Sequence, residues 1–209
     1  MPKLFSFDSI SPFEIYLAIR KFVNPAFGYF INTGKEQILS FSPEQFFHTE
    51  GNIIRTFPMK GTRPRNRDVN KDLMMKKELQ DSAKDKAEHL MIVDLLRNDI
   101  GKICTYGSVQ VKDLFRINSY VTVHQMVSCV YGELKNNINH IDILKALCPG
   151  GSITGAPKES SMKIIDLLEN YNREIYTGAI GHIDQQSNMH FNIAIRTMIA
   201  QNNIINYSV

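Results

Sequence analysis

The chain has no tryptophan and only three cysteines, Cys104, Cys129 and Cys148, among 209 residues. An odd number of widely spaced thiols without a CxxC pair argues against a disulfide framework or a zinc ribbon, and fits buried thiols in a reducing compartment. No apolar run approaches membrane-spanning length, and the segment Met1 to Asp8 lacks the basic and apolar regions of a secretory signal. A cytoplasmic protein with no membrane contact is expected. An excess of one charge is also missing, since 24 Lys and Arg face 21 Asp and Glu for a net charge of +3. Apart from Arg63-Pro64-Arg65-Asn66-Arg67 the cations are interspersed with acids, which gives no reason to expect a nucleic-acid partner. No repeat, low-complexity tract or linker divides the chain, so one domain is expected. A hydrophobic content of 43% is enough to give it a substantial core.

Pattern and punctuation place the elements. Ser11 and Pro12 open a helix that runs to Phe22 and ends at Asn24-Pro25. Residues 27–31 and 37–41 form a hairpin around a turn at 32–36, and Glu50-Gly51-Asn52 turns the chain into a strand over 53–57. From about Lys71 to Asn98 the pattern is helical, broken near Asp81, with Leu79, Ala83, Ala87, Leu90 and Met91 as its apolar stripe. Strands are expected at 107–111 and 120–131, a short helix at 141–147, and a helix from Pro157 on which Met162, Ile165 and Leu168 share a face. Three further strands are expected at 176–183, 190–199 and 203–209. The result is a mixed α and β chain with mainly antiparallel pairing.

Several residues stand out for chemistry. The stretch Leu147-Cys-Pro-Gly-Gly-Ser-Ile-Thr-Gly-Ala-Pro-Lys158 feeds a helix N-terminus and, through Gly150, Gly151 and Gly155, suits either a phosphate or carboxylate ligand or merely a tight turn. It lacks the residue order of a P-loop. Lys60 sits where the chain turns, either as a plain exposed lysine or as an amine influenced by Arg63, Arg65 and Arg67. On the helix, Asp94 is expected to pair with Arg97, which leaves Glu88 as the better metal ligand, with magnesium the natural ion. His124 in an apolar strand is either a hydrogen-bonded core residue or a catalyst. Arg196 interrupts a strongly apolar strand and needs an anionic partner.

Ser42-Pro43-Glu44, Pro58-Met-Lys-Gly-Thr-Arg-Pro-Arg65, Ala87-Glu-His-Leu-Met-Ile-Val-Asp94 with Arg97-Asn98-Asp99, Val123-His124, the 149–158 loop, Tyr176-Thr-Gly-Ala-Ile-Gly181 and Ala194-Ile-Arg-Thr197 occur together in this order. This set closely resembles the chorismate-utilising enzymes, from about residue 11 to the end of the chain. That family includes anthranilate, aminodeoxychorismate, isochorismate and salicylate synthases. The resemblance implies an α+β fold of layered antiparallel sheets with helices, incomplete at both ends. It makes residues 1–209 a partial chorismate-binding catalytic domain. Lysine at position 60 points to the branch forming 4-amino-4-deoxychorismate, a precursor of 4-aminobenzoate and folate; anthranilate synthases typically carry alanine there.

The resemblance also implies roles. Glu88 would bind Mg2+; Gly61, His124, Gly151 and Ser152 would line the chorismate ring; Tyr176 and Arg196 would hold the enolpyruvyl carboxylate. Glu44 would protonate the departing 4-hydroxyl while Lys60 attacks the ring, and ammonia from a glutamine amidotransferase subunit would then displace the lysine. Relatives carry further sequence at both ends, including a second magnesium-binding glutamate and an active-site lysine that have no counterpart here. The alternatives are another chorismate conversion, such as that of anthranilate synthase component I, or an inactive chorismate-binding module.

Overall fold

The computed structural model describes residues 3–7 and 9–208. It is an α+β arrangement of two antiparallel sheets with helices packed against them. The first sheet has the order β1 (Lys3–Ser6), β12 (Ile204–Tyr207), β11 (Thr197–Gln201), β3 (Gln37–Ser42) and β2 (Phe27–Asn32). Helix α1 (Pro12–Val23) lies on it and begins with a capping box, the Ser11 hydroxyl accepting from the Glu14 amide while the Glu14 carboxylate accepts from the Ser11 amide. Tyr16, Leu39, Phe41, Ala200 and Ile205 form the core between them.

In the second sheet the path runs β6 (Met59–Pro64), β8 (Val123–Glu133), β5 (Ile53–Thr56), β4 (Gln45–Glu50), β10 (Met189–Ile193) and β9 (Ala179–Ile183). Long β8 is shared, with β6 and β5 along one side and β7 (Gln110–Ser119) along the other. Helices α2 (Val69–Asp81) and α3 (Ala83–Gly101), separated at Ser82 as the sequence implies, cover this sheet. Phe47, Ile54, Ile92, Val93, Leu96, Ile100 and Leu147 of α4 (His140–Leu147) make the larger core. The buried face of α3 also includes His89, whereas Leu90 and Met91, expected in the stripe, are 41% and 46% exposed. Ile92 and Val93 win the buried positions because the helix is apolar on nearly every side and tertiary packing, not periodicity, selects the face.

Three further expectations are corrected. Residues 190–199 are not one strand. The chain leaves the second sheet after Ile193, turns through Arg196 at φ +52°, and enters the first sheet at Thr197. The 176–183 strand begins only at Ala179, because Tyr176 and Gly178 amides close turns on Arg173 and Ile175. The 149–158 stretch is not simply a loop, since it holds a single helical turn, α5 (Gly151–Thr154), before α6 (Lys158–Leu168). Pro157 sits at the N-cap of α6, and none of that helix is fully buried. The last strand is β12, and Val209, included in it by the sequence pattern, lies outside the described residues.

Candidate active site

The chain crosses between the two sheets at two corners that lie side by side. One is Ser42–Gln45, from β3 to β4, and the other is Ile193–Thr197, from β10 to β11. The Glu44 carbonyl accepts from the Ile193 amide at 3.1 Å, the Arg196 carbonyl accepts from Phe41 at 3.1 Å, and the Ser40 and Thr197 hydroxyls meet at 2.9 Å. Glu44 and Arg196 are therefore held at one seam, on backbone that neither sheet's ladder consumes.

The Glu44 side chain accepts a 2.9 Å hydrogen bond from the Ser152 hydroxyl. Burial pushes its carboxyl above the ordinary range, while the Ser152 bond and the positive charge of Lys60 pull it back down. Such a carboxyl is placed to give up a proton. Ser152 belongs to α5, which packs under α3: a Cβ on Gly151 would lie 2.1 Å from Leu95 Cδ2, so only glycine permits this approach. The loop is anchored by Lys158, whose Nζ donates to the buried carboxylate of Asp99 at 2.5 Å and to the Leu147 carbonyl at 3.1 Å. Lys102 takes the other Asp99 oxygen at 2.9 Å.

Lys60 lies in β6 where the register with β8 shifts between Met59 and Thr62, and Gly61 beside it has φ +87°. A bulge of this kind re-aims a side chain. The Lys60 amine lies 3.7 Å from the Glu88 carboxylate, with Lys84 on the other side at 3.9 Å. Next to Glu88, fully buried His89 bonds Ser128 of β8 at 2.7 Å; burial lowers its pKa, against a smaller pull from the Lys60 backbone. The neighbouring arginines do not serve Lys60. Arg63 is taken by Glu78 and Asp85 at 2.8 and 3.0 Å, and Arg65 by Asp72 and the Tyr120 carbonyl at 2.8 and 2.7 Å.

His124, on β8 opposite Arg63 of β6, has both ring nitrogens bonded to protein groups. It is 1% exposed, with Ser119 on Nδ1 at 2.8 Å and Asp72 on Nε2 at 3.1 Å, which is the core-histidine alternative. Tyr176 lines a cavity of about 710 Å³ between α6 and the 169–178 segment. Thr177 and Gly178 are paired with Ala194 by two 2.9 Å backbone bonds, which brings Tyr176 close in the fold to Arg196. Arg196 itself is exposed at the turn between β10 and β11, where water solvates its guanidinium, so the expectation of an obligatory anionic partner in an apolar strand is corrected. Asp94 pairs with Arg97 at 3.0 Å, as expected.

Among the described residues no group of three or more His, Cys, Asp or Glu side chains converges on a metal position. The Glu88 carboxylate, expected from the sequence to hold magnesium, has Lys60 and Lys84 at 3.7 and 3.9 Å as its charged neighbours. Sequence reasoning missed the Ser152–Glu44 bond and the Lys158–Asp99 pair, whose partners are 108 and 59 residues apart.

Known proteins share this architecture. The profile of the chorismate binding enzyme family matches residues 4–209. The chain is 44% identical to anthranilate synthase component 1 of Saccharolobus solfataricus over 89% of its own length and 44% of that protein. It is 42% identical to aminodeoxychorismate synthase component 1 of Bacillus subtilis over 92% of its own length and 41% of that protein. The crystal structure of anthranilate synthase component I from Streptococcus pneumoniae TIGR4 superposes with a TM-score of 0.86 at 34% identity, covering 99% of this chain and 46% of that one. The menaquinone-specific isochorismate synthase from Escherichia coli shares the fold at a TM-score of 0.84 and 19% identity, with 99% and 47% covered. The chain thus spans less than half the length of these relatives. No helix among the described residues is long and apolar enough to cross a membrane. The motifs in order, the fold and the profile agree, and the chain belongs to the chorismate binding enzyme family.

Proposed function

We propose that this chain is the chorismate-binding catalytic part of an aminodeoxychorismate synthase component 1. The observation that carries the reading is the Lys60 amine on its bulge, 3.7 Å from Glu88 and within electrostatic reach of Glu44. Overall identity does not separate the branches, since relatives named for anthranilate and for aminodeoxychorismate synthesis stand at 44% and 42%. The side chain at position 60 supports the aminodeoxychorismate branch. An amine there can form a covalent bond to the ring, which alanine cannot.

In this reading the Lys60 nitrogen, as a free amine, adds at C2 of chorismate, both ring double bonds shift in turn toward C4, and the C4 hydroxyl leaves as water with a proton from Glu44. Ammonia then adds at C4, both double bonds shift back, and Lys60 departs from C2 as the free amine. Gly61, Gly151 and Ser152 border the space for the ring, and Ser152 holds Glu44 in place. Tyr176 and Arg196 take the enolpyruvyl carboxylate, a role suited to an unpaired guanidinium fork. Magnesium held through Glu88 would neutralise the ring carboxylate. The component 1 designation of the relatives supports a second component, and a glutamine amidotransferase would supply the ammonia.

Incubation with chorismate, ammonium and magnesium, followed by chromatography with mass detection, tests the proposal. A product retaining the enolpyruvyl group that disappears in Lys60→Ala is expected. Anthranilate as product, or an unchanged yield from the variant, would overturn the assignment. Absence of both turnover and chorismate binding would overturn the proposal as a whole.

A further inference from the structure

Beside Tyr176 lies an ion pair that no step of this chemistry uses. Arg173 reaches back to Glu169, the residue that ends α6, with Nε and Nη2 each bonded to one carboxylate oxygen at 2.7 and 2.5 Å. Both side chains are only about a quarter exposed, at 23% and 24%. The pair is strongly set: Arg173 holds the Glu169 carboxyl below its usual range, and Glu169 raises the guanidinium in turn. The remaining guanidinium nitrogen, Nη1, donates to the Thr177 hydroxyl at 3.3 Å, and that hydroxyl bonds the Tyr176 carbonyl at 2.5 Å. Thr177 has φ +65°, a conformation that a β-branched residue adopts only when its surroundings impose it. Its amide bonds the carbonyl of Ala194, two residues before Arg196.

These contacts form one continuous path from the end of α6, through the Arg173 fork and the strained Thr177, to the sheet corner carrying Arg196. We infer that Arg173 and Glu169 are positioning residues that hold Tyr176 and Arg196 in register to bind one carboxylate of the substrate. The inference rests on the reading of those two residues given above. Arginine is required because one planar group must satisfy both oxygens of Glu169 and the Thr177 hydroxyl together, which the single ammonium of lysine cannot do. The pair touches no reacting atom. Its loss therefore weakens ground-state binding and leaves the Lys60 and Glu44 machinery intact.

Chorismate affinity measured by calorimetry on wild type, Arg173→Ala, Arg173→Lys and the exchanged pair Glu169→Arg/Arg173→Glu tests the inference. Arg173→Ala is expected to raise the dissociation constant about tenfold. Arg173→Lys is expected to fall between Arg173→Ala and wild type, and the exchanged pair to recover part of the loss. Hydrogen exchange on the same proteins without ligand is expected to quicken at the Thr177 and Ala194 amides and to stay unchanged at those of β4 and β5. Wild type that binds chorismate and an Arg173→Ala variant of equal affinity would overturn the positioning role alone. Wild type that fails to bind chorismate would remove the underlying substrate reading and the inference with it. A lower melting temperature with an unchanged dissociation constant would reduce the pair to a structural tie and would likewise overturn the inference.

Discussion

Replacing Lys158 by alanine is expected to cost far more than removal of an ordinary surface charge. Asp99 has a side chain 2% exposed, and Lys158, 16% exposed, is its better-buried partner. Deleting one member of a buried pair leaves an uncompensated charge, which costs about 3–5 kcal/mol. Here Lys102 still reaches Asp99 at 2.9 Å, but its side chain is 57% exposed and its charge is shared with water. The lower end, about 3 kcal/mol, is therefore expected. For a chain of this size that corresponds to a fall of about 6–12 °C in melting temperature. Urea unfolding of Lys158→Ala, with Arg97→Ala as control, measures it. The control breaks the exposed pair with Asp94 and should cost less than about 0.5 kcal/mol. Since Lys158 also holds the Leu147 carbonyl, hydrogen exchange at Gly151–Gly155 should rise in Lys158→Ala alone. A loss of less than about 1 kcal/mol, or one matching the control, would refute the claim that this pair closes the loop.

Stability should also decline as pH falls below about 6.5, the value of an unperturbed histidine. Burial lowers the pKa of both His48 and His89, so the unfolded chain takes up protons in that window before the folded one does. Urea midpoints at mildly acidic and neutral pH check the sign, His48→Gln should flatten the dependence, and greater stability in acid would contradict it. Gly151→Ala should destabilise by about 1–3 kcal/mol through its collision with Leu95, and Leu95→Ala in the same chain should recover part of that loss in thermal unfolding. Ser152→Ala removes the bond that lowers the Glu44 pKa, so Glu44 should hold its proton to higher pH. The alkaline limb of the rate profile should then move to higher pH, and a move to lower pH would disprove the role given to that bond.

Local chemistry in the sequence identified much of the fold. Ser11, Pro12 and Asn24 bracket α1, Ser82 breaks the long helical pattern, and the 32–36 turn makes the hairpin, all through short-range signals. Strand β7 was underestimated because Lys112 to Ser119 are largely polar or exposed and irregular, with Asp113 and Phe115 at positive φ, and pair with β8 alone. The crossing at Arg196 was invisible because Phe191 to Ile199 contains no glycine or proline to punctuate it. Lys60 and Glu88 stood out from their own surroundings, as a lysine at a turn and an acid on an apolar helix, whereas Glu44 and the role of Ser152 came only from the motif set. The partners of His124 show the limit, since alternation along β8 carries no sign of Asp72, 52 residues away. Pairings such as Lys158 with Asp99 are tertiary facts with no local trace.

The seam between the sheets also bears on the order of assembly. Glu44 and Arg196 stand where the chain passes from one sheet to the other, and the bonds that fix them join Phe41 to Arg196 and Ile193 to Glu44 across the two corners. Neither sheet alone can orient both residues, however well its own ladder has formed. Ligand-binding competence should therefore arise only in the last folding step, when the two cores dock. A fragment carrying a single sheet would keep its secondary structure and have no affinity for the substrate. Mutations in either core that slow docking would then reduce binding at a distance, without touching the site.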